Sequence, residues 1–386
     1  MWQSGNIRVA RIGGIAVDIH PTFVLVLIWG AWQGWVQYGS VTGAGYGVLS
    51  ISLLFVCVLL HELGHGLQAR GMGLVVRRVS LLPIGGLAQL ETQPAYPWQE
   101  LVIALAGPTV NLALALILGG IINAFQPISL TGWWSTLLLR VTPNLANLML
   151  FLLWTNVILF FFNMLPAFPM DGGRVIRAAL AIFTDYETAT RIACWLGRLI
   201  AFGMVVVGAT GWPPGRFDPN PLLLVTGIVV YFGAQQEELY VRRQRALIRM
   251  EVGDICHPAA AVLAPWDALT ADALRRLREG QVVPVMVGER LVGLLTAQEV
   301  RSSAPKSAAA TVAHMMRASF PVLHPNDTLW VALQEMTSVQ LDSLPVVINT
   351  SFRGLVTLND IKDAWKVLAR RKRRAGSTLV SGDTVK

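Results

Sequence analysis

Five consecutive residues, His61-Glu62-Leu63-Gly64-His65, set two imidazoles and a carboxylate inside an apolar run from Gly47 to Leu67. Residues i and i+4 share a helix face, so both histidines can grip one metal ion while the carboxylate faces the same cavity. His-Glu-x-x-His is the spacing used for zinc-assisted hydrolysis, with the glutamate serving as a base rather than a ligand. Ionisable and metal-binding side chains are costly in lipid, so such a cluster inside an apolar run marks a functional site. With 6 histidines in 386 residues, an accidental pattern of this kind is rare.

A catalytic zinc commonly takes three protein ligands and keeps a fourth position for water. Asp171 is the candidate for the third. It stands in Asn163-Met-Leu-Pro-Ala-Phe-Pro-Met-Asp171-Gly172-Gly173, where Pro166 and Pro169 open a helix. Open backbone is tolerated at membrane depth only beside protein or a water-lined cavity. Taken alone, the same aspartate also reads as a plain helix start. A structural zinc would need a fourth protein ligand and would leave Glu62 without a role. In the catalytic reading, Glu62 takes a proton from zinc-bound water and delivers it to the leaving amine. His20, in Asp18-Ile-His20-Pro21, is predicted at a depth similar to that of His61. It is either a hydrogen-bonded anchor or a regulatory contact that displaces the water. Asn111 could orient a ligand or brace the helix pack. Gly107-Pro108 reads as close packing.

The elements that must position these groups are apolar. Mean hydropathy is +0.53, and 14% of residues are charged, against about 25% in a soluble domain. Apolar runs predict about six transmembrane helices, near Ile15–Tyr38, Tyr46–Ala69, Trp98–Ile122, Thr142–Leu165, Ile192–Thr210 and Asn220–Gln235. Most approach the roughly 20 residues that cross a bilayer. Val75–Gln89 is β-prone and broken by Pro83 and Gly85-Gly86. Lone strands cannot face lipid, so this segment must pair or line a protein-walled cavity.

Arginine bias sets the orientation. A cytoplasmic N-terminus puts Arg8, Arg11, Arg70, Arg77, Arg78, Arg174, Arg177, Arg191, Arg242, Arg243 and Arg245 inside and leaves Arg140 and Arg216 outside. Trp133-Trp134 and Trp98 fit interfacial belts. His61 precedes Arg70 by about 13 Å of helix, which sets the metal in the inner half of the membrane. The net charge of +8 follows this topology, and no nucleic-acid partner is expected. Cys57, Cys194 and Cys256 are far apart, which argues against a disulfide framework or a thiolate zinc site.

Beyond a basic linker, two segments of similar plan repeat at about 60 residues. Val252-Gly-Asp254-Ile255 leads to a helix near Ala268–Arg278, a strand Val282–Val287 and Leu294-Leu295-Thr296-x-x-Glu299. Val312-Ala-His314-Met315 leads to a helix Leu329–Thr337, a strand Leu344–Ile348 and Leu355-Val356-Thr357-x-x-Asp360. The expected division is 1–240 for the membrane domain, 241–250 for the linker, 251–370 for the repeat module and 371–386 for a basic, disordered tail. That tail suits anionic headgroups.

Together these motifs resemble the site-2 protease family of intramembrane zinc metalloproteases, in the subgroup with C-terminal tandem cystathionine β-synthase (CBS) domains. His61-Glu62-x-x-His65 matches the zinc-binding motif, and Asn163-x-x-Pro166-x-x-Pro169-x-Asp171-Gly172 matches the motif carrying the third ligand. Pro83-x-Gly85-Gly86 is similar to the membrane-associated β segment beside the substrate, and Ala106-Gly107-Pro108-x-x-Asn111 to the third-span signature. The resemblance implies a multi-pass α-helical membrane protein with a cytoplasmic α/β tandem CBS module, both termini cytoplasmic, in a prokaryotic cell membrane. It implies one catalytic Zn2+, a single-pass transmembrane protein as substrate, and regulated intramembrane proteolysis. Asn163 would steady the substrate or the oxyanion, or simply cap a helix. Thr357 and Asp360 would hold the ribose of an adenine nucleotide, or the CBS pair would serve only to form a homodimer. The reading from another class is a CBS-regulated transporter or channel, which would need polar residues repeated along several spans.

Overall fold

A computed structural model describes residues 6–83, 85–90, 94–125, 143–211, 218–268, 271–278, 282–302, 311–349 and 351–368. Trp133-Trp134, Arg140, Arg216 and the tail from 371 lie outside these residues. The chain forms two compact units, Met1–Glu238 and Leu239–Lys386.

The first unit opens with strands β1 (Ile7–Ile12) and β2 (Ile15–Ile19), followed by helices α1 (Phe23–Tyr38) and α2 (Val41–Gly71). A hairpin, β3 (Val76–Leu82) and β4 (Gly85–Leu90), precedes α3 (Pro97–Phe125) and α4 (Leu145–Asn163). A short helix, α5 (Asp171–Ala181), then leads to α6 (Tyr186–Thr210) and α7 (Pro221–Ile248). Four of these helices, α2, α3, α4 and α6, are long and apolar enough to cross a bilayer. They correspond to the second to fifth apolar runs.

The first run departs from expectation. Ile15–Ile19, read as the start of a spanning helix, is a strand, and α1 is left with 16 residues. The reason is pairing on both sides: β2 is antiparallel to β1, with Ile12 opposite Ile15, and parallel to β3, with Val17 opposite Val79. β-Branched Ile15, Val17 and Ile19 suit that pleated surface, and Ile15 and Val79 are fully buried against α2. The sheet order is β1-β2-β3-β4, so the expected β segment pairs with itself and with the chain's opening. The sixth run is also longer than read. α7 continues as one helix through Ile248, and its charged second half takes in most of the segment expected as a linker.

The second unit contains α8 (Ala271–Arg278), β5 (Val283–Val287), β6 (Arg290–Leu295), α9 (Ala297–Ser302), α10 (Leu329–Val339), β7 (Ser343–Ile348) and β8 (Ser351–Thr357), with sheet order β5-β6-β8-β7. Each repeat lends its opening residues to the other. The Val252 N–H donates to the Asp327 carbonyl, and the Val312 N–H donates to the Asp267 carbonyl. Val252 is buried among Leu329, Leu344 and Val356, while Val312 is buried among Leu263, Val285 and Leu295. Neither repeat completes its core without the other. Leu329 lies in the first of these cores with no exposed surface. Leu329→Ala should therefore destabilise this unit by about 2–5 kcal/mol, whereas Val331→Ala on the exposed face should stay within about 0.5 kcal/mol. Denaturant unfolding of the full chain, followed by a probe in the second unit, measures both.

Candidate metal centre

His61 and His65 lie one helical turn apart on the buried face of α2. Asp171 is the first residue of α5, reached through the proline-broken loop after α4. The loop turns on backbone bonds, Ala167 N–H to the Leu165 carbonyl and Met170 N–H to the Ala167 carbonyl. The two readings of Asp171 therefore coincide: it starts a helix, where the dipole favours a carboxylate, and its side chain meets the histidines.

The atoms converge in a nearly equilateral triangle. His61 Nε2 and His65 Nε2 are 3.1 Å apart, and Asp171 Oδ2 is 3.1 Å from each. Tetrahedral zinc with bonds of about 2.0–2.2 Å sets its ligand atoms roughly 3.3–3.5 Å apart, so the spacing and the two-nitrogen, one-oxygen donor set fit the ion. Among the described residues no fourth His, Cys, Asp or Glu joins the group, and three protein ligands are the catalytic rather than the structural pattern.

The far side of each ring is held. His65 Nδ1 meets the Ile103 carbonyl of α3 at 2.7 Å, and His61 Nδ1 bonds Asn111 Oδ1, also on α3. Asn111 in turn donates to Asn156 Oδ1 on α4 at 2.8 Å. Gly107 lets α3 come this close. A β-carbon there would press on the Nε2 atoms of both histidines, so its role is specific to the ligands as well as to packing. Glu62 follows the first ligand directly, and its carboxyl lies over Gly86 of β4, where a β-carbon would stand 3.1 Å from Oε1.

Asn163 is the last residue of α4, at the opposite end of the loop from Asp171. The residue that caps α5 is Met170. His20 lies between β2 and α1, where its Nδ1 meets Thr22 Oγ1 at 2.7 Å and its N–H donates to the Leu81 carbonyl. It is not a member of the converging group. In the second unit, Asp360 Oδ2 accepts from the Thr357 N–H at 2.8 Å and the Thr357 hydroxyl at 2.6 Å, and it meets His257 Nε2 at 3.0 Å. Thr296 and Glu299 form the corresponding pair in the first repeat. Burial pushes the nearby Cys256 thiol up, with Asp360 acting in the same direction.

Sequence reading missed Asn156, whose signal was an amide within an otherwise apolar span. It also counted Arg177 only as a cation on the cytoplasmic side. Arg177 is instead buried, with its guanidinium bonded to Glu100 of α3 and Glu237 of α7 and lying 4.9 Å from the Phe168 ring.

The profile of peptidase family M50 matches residues 49–206, and that of the CBS domain matches residues 312–366. A zinc metalloprotease of Methanocaldococcus jannaschii is 30% identical, over 94% of this chain and 97% of that one. Rip3 of Mycobacterium tuberculosis is 28% identical, over 92% of this chain and 91% of its own. The solved structure of a site-2 protease from Methanocaldococcus jannaschii is 34% identical, covering 60% of this chain and 95% of that one at a TM-score of 0.42. With a zinc metalloprotease aligned along nearly its whole length, this chain belongs to peptidase family M50, the site-2 proteases, and is an intramembrane zinc metalloprotease with a C-terminal CBS module.

Proposed function

We propose that this protease hydrolyses peptide bonds within the transmembrane segments of single-pass membrane proteins, as one step of regulated intramembrane proteolysis. The observation that carries this reading is the 3.1 Å triangle of His61, His65 and Asp171, enclosed by apolar spans with Glu62 beside it. These three side chains would hold the zinc. When bound, the ion polarises the scissile carbonyl and makes water acidic enough to attack near neutral pH. Glu62 accepts the proton of the attacking water and returns it to the leaving amine. Asn163, at the mouth of the loop, steadies the substrate backbone or the developing oxyanion.

A helical substrate must unwind before its carbonyl can be attacked. β4 is an edge strand of its sheet, and Gly86 on it lies against the Glu62 carboxyl. An opened segment paired to that edge would run beside the base, and strand addition reads backbone with little side-chain preference. Membership in a peptidase family argues against the transporter or channel reading.

Cleavage of a single-pass test substrate in liposomes checks the assignment. Glu62→Gln should lower the rate by about 10²–10⁴-fold with zinc content unchanged. His65→Ala and Asp171→Asn should reduce both zinc content and rate. Full activity in any of the three variants would overturn it.

Arginine bias puts the N- and C-termini in the cytoplasm and the metal in the inner half of the bilayer. The cut is then expected in the inner half of the client's span, releasing its soluble part to the cytoplasm. Mass spectrometry of both products locates the bond, with orientation fixed by cysteine labelling at Arg77. A bond broken in the outer half would refute this arrangement without touching the chemistry.

Thr357 and Asp360 support a nucleotide reading of the CBS module, since their mutual bonds shape the second repeat's Thr-x-x-Asp turn. Calorimetry of the full chain with AMP, ADP and ATP should show binding that is lost in Thr357→Ala with Asp360→Ala. If the native chain binds none of them, the module is left with dimerisation as its role.

A further inference from the structure

We propose that Asn156 is a positioning residue of the metal centre, fixing through Asn111 which nitrogen of His61 faces the metal. The inference rests on the reading that His61 holds zinc.

The argument starts from a group that can only accept. The Leu152 carbonyl lies 2.8 Å from Asn156 Nδ2, so the nitrogen side of that amide must face it. The second hydrogen on Nδ2 points to Cys57 Sγ at 3.2 Å. With both hydrogens directed, Oδ1 of Asn156 is the atom left to face Asn111. That oxygen accepts, so Asn111 must present its nitrogen, and does so at 2.8 Å. Asn111 Oδ1 is thereby turned to His61 Nδ1, which must carry a proton. Nε2 is then a bare lone pair, directed at the converging atoms 3.1 Å away.

His65 reaches the same state in one step, because its Nδ1 donates directly to the Ile103 carbonyl. A backbone carbonyl cannot turn over. An amide side chain can, and a reversed Asn111 would offer hydrogens to His61 Nδ1, shift the ring proton to Nε2 and remove a ligand. Asn156 is what forbids the reversal. Asn111 and Asn156 have no exposed surface, so water cannot supply the missing bonds, and an unmatched buried group costs about 1–3 kcal/mol. The relay joins α2, α3 and α4. Simple bracing of α3 against α4 would use the same contact, and the test separates the two roles.

Zinc affinity is measured by chelator competition on the full-length protein in detergent. Asn156→Leu, which frees Asn111 to reverse, should weaken zinc binding by about 10–100-fold. Adding Asn111→Asp to that variant should restore most of the affinity, since a carboxylate accepts from His61 in either orientation. A bracing role predicts no recovery. Native-like binding by Asn156→Leu, or a double variant as weak as the single one, would overturn the proposal. A second measurement does not depend on variants: the ¹⁵N spectrum of histidine-labelled wild-type protein loaded with zinc should show His61 protonated at Nδ1 and bound through Nε2. Binding through Nδ1 would refute the relay. Should the wild-type protein take no zinc, the functional reading fails separately. The same spectrum still decides the relay, with a His61 proton on Nδ1 supporting it and one on Nε2 overturning it.

Discussion

Three electron-pair donors held 3.1 Å apart inside an apolar helix bundle are the constraint on which the rest of the protease unit depends. Each ring's Nδ1 is engaged on α3, which leaves both Nε2 atoms turned to the Asp171 carboxylate, an arrangement that a shared cation satisfies. The scaffold must hold the three groups at that separation and depth. The means are visible: a backbone carbonyl behind His65, a pair of locked amides behind His61 and a helix N-terminus beneath Asp171. Gly107 lets the α3 backbone close over all of it.

The same constraint accounts for the irregular backbone. A single helix can supply two ligands at i and i+4, but the third must come from elsewhere, at the same depth and with its carboxylate aimed back. The chain achieves this by breaking α4 from α5 with Pro166 and Pro169 and starting a new helix on the ligand itself. In the break the N–H groups of Leu165, Ala167 and Met170 find local carbonyls, which lowers the cost of open backbone at that depth. The sheet answers a related need. Glu62 follows the first ligand and lies against β4, where Gly86 leaves room for the carboxyl. Pairing β3 with both β2 and β4 satisfies the backbone on both sides of that strand, leaving β4 as the edge.

Much of this was legible in the sequence because helical spacing converts directly into geometry. His61, Glu62 and His65 could be placed on one turn from their numbers alone. Asp171 was legible only beside an intramembrane His-Glu-x-x-His, since taken alone a carboxylate after the double-proline break reads equally as a helix start. The strand Ile15–Ile19 was not, since a run apolar on both faces has no period to separate strand from helix, and its partner β3 lies about 60 residues away. Asn156 was hidden for a different reason: one amide in an apolar span has no pattern, and its meaning comes from Asn111 and Cys57 on two other helices. In the second unit the 60-residue period was plain. That Val252 and Val312 each complete the opposite core was not, because a repeat in sequence does not say which copy packs on which.

Charge was the least legible quantity, and the structure shows why. Counting arginines along the chain assigns each to a membrane face, but several are consumed by buried acids. Arg177 is held between Glu100 and Glu237, Arg198 meets Glu238 at 2.8 Å, and Arg8 and Arg78 bracket the buried Asp18. An exposed pair contributes at most about 1 kcal/mol. Removing one partner of a buried pair costs about 3–5 kcal/mol, because the other charge is left uncompensated. These arginines are therefore fixed by packing as well as by topology. Glu100 sits one turn before Ile103, which anchors His65, and Arg177 lies on the helix that begins with Asp171. The Arg177–Glu100 pair, with both side chains largely buried, thus ties together the two elements whose relative position sets the ligand triangle.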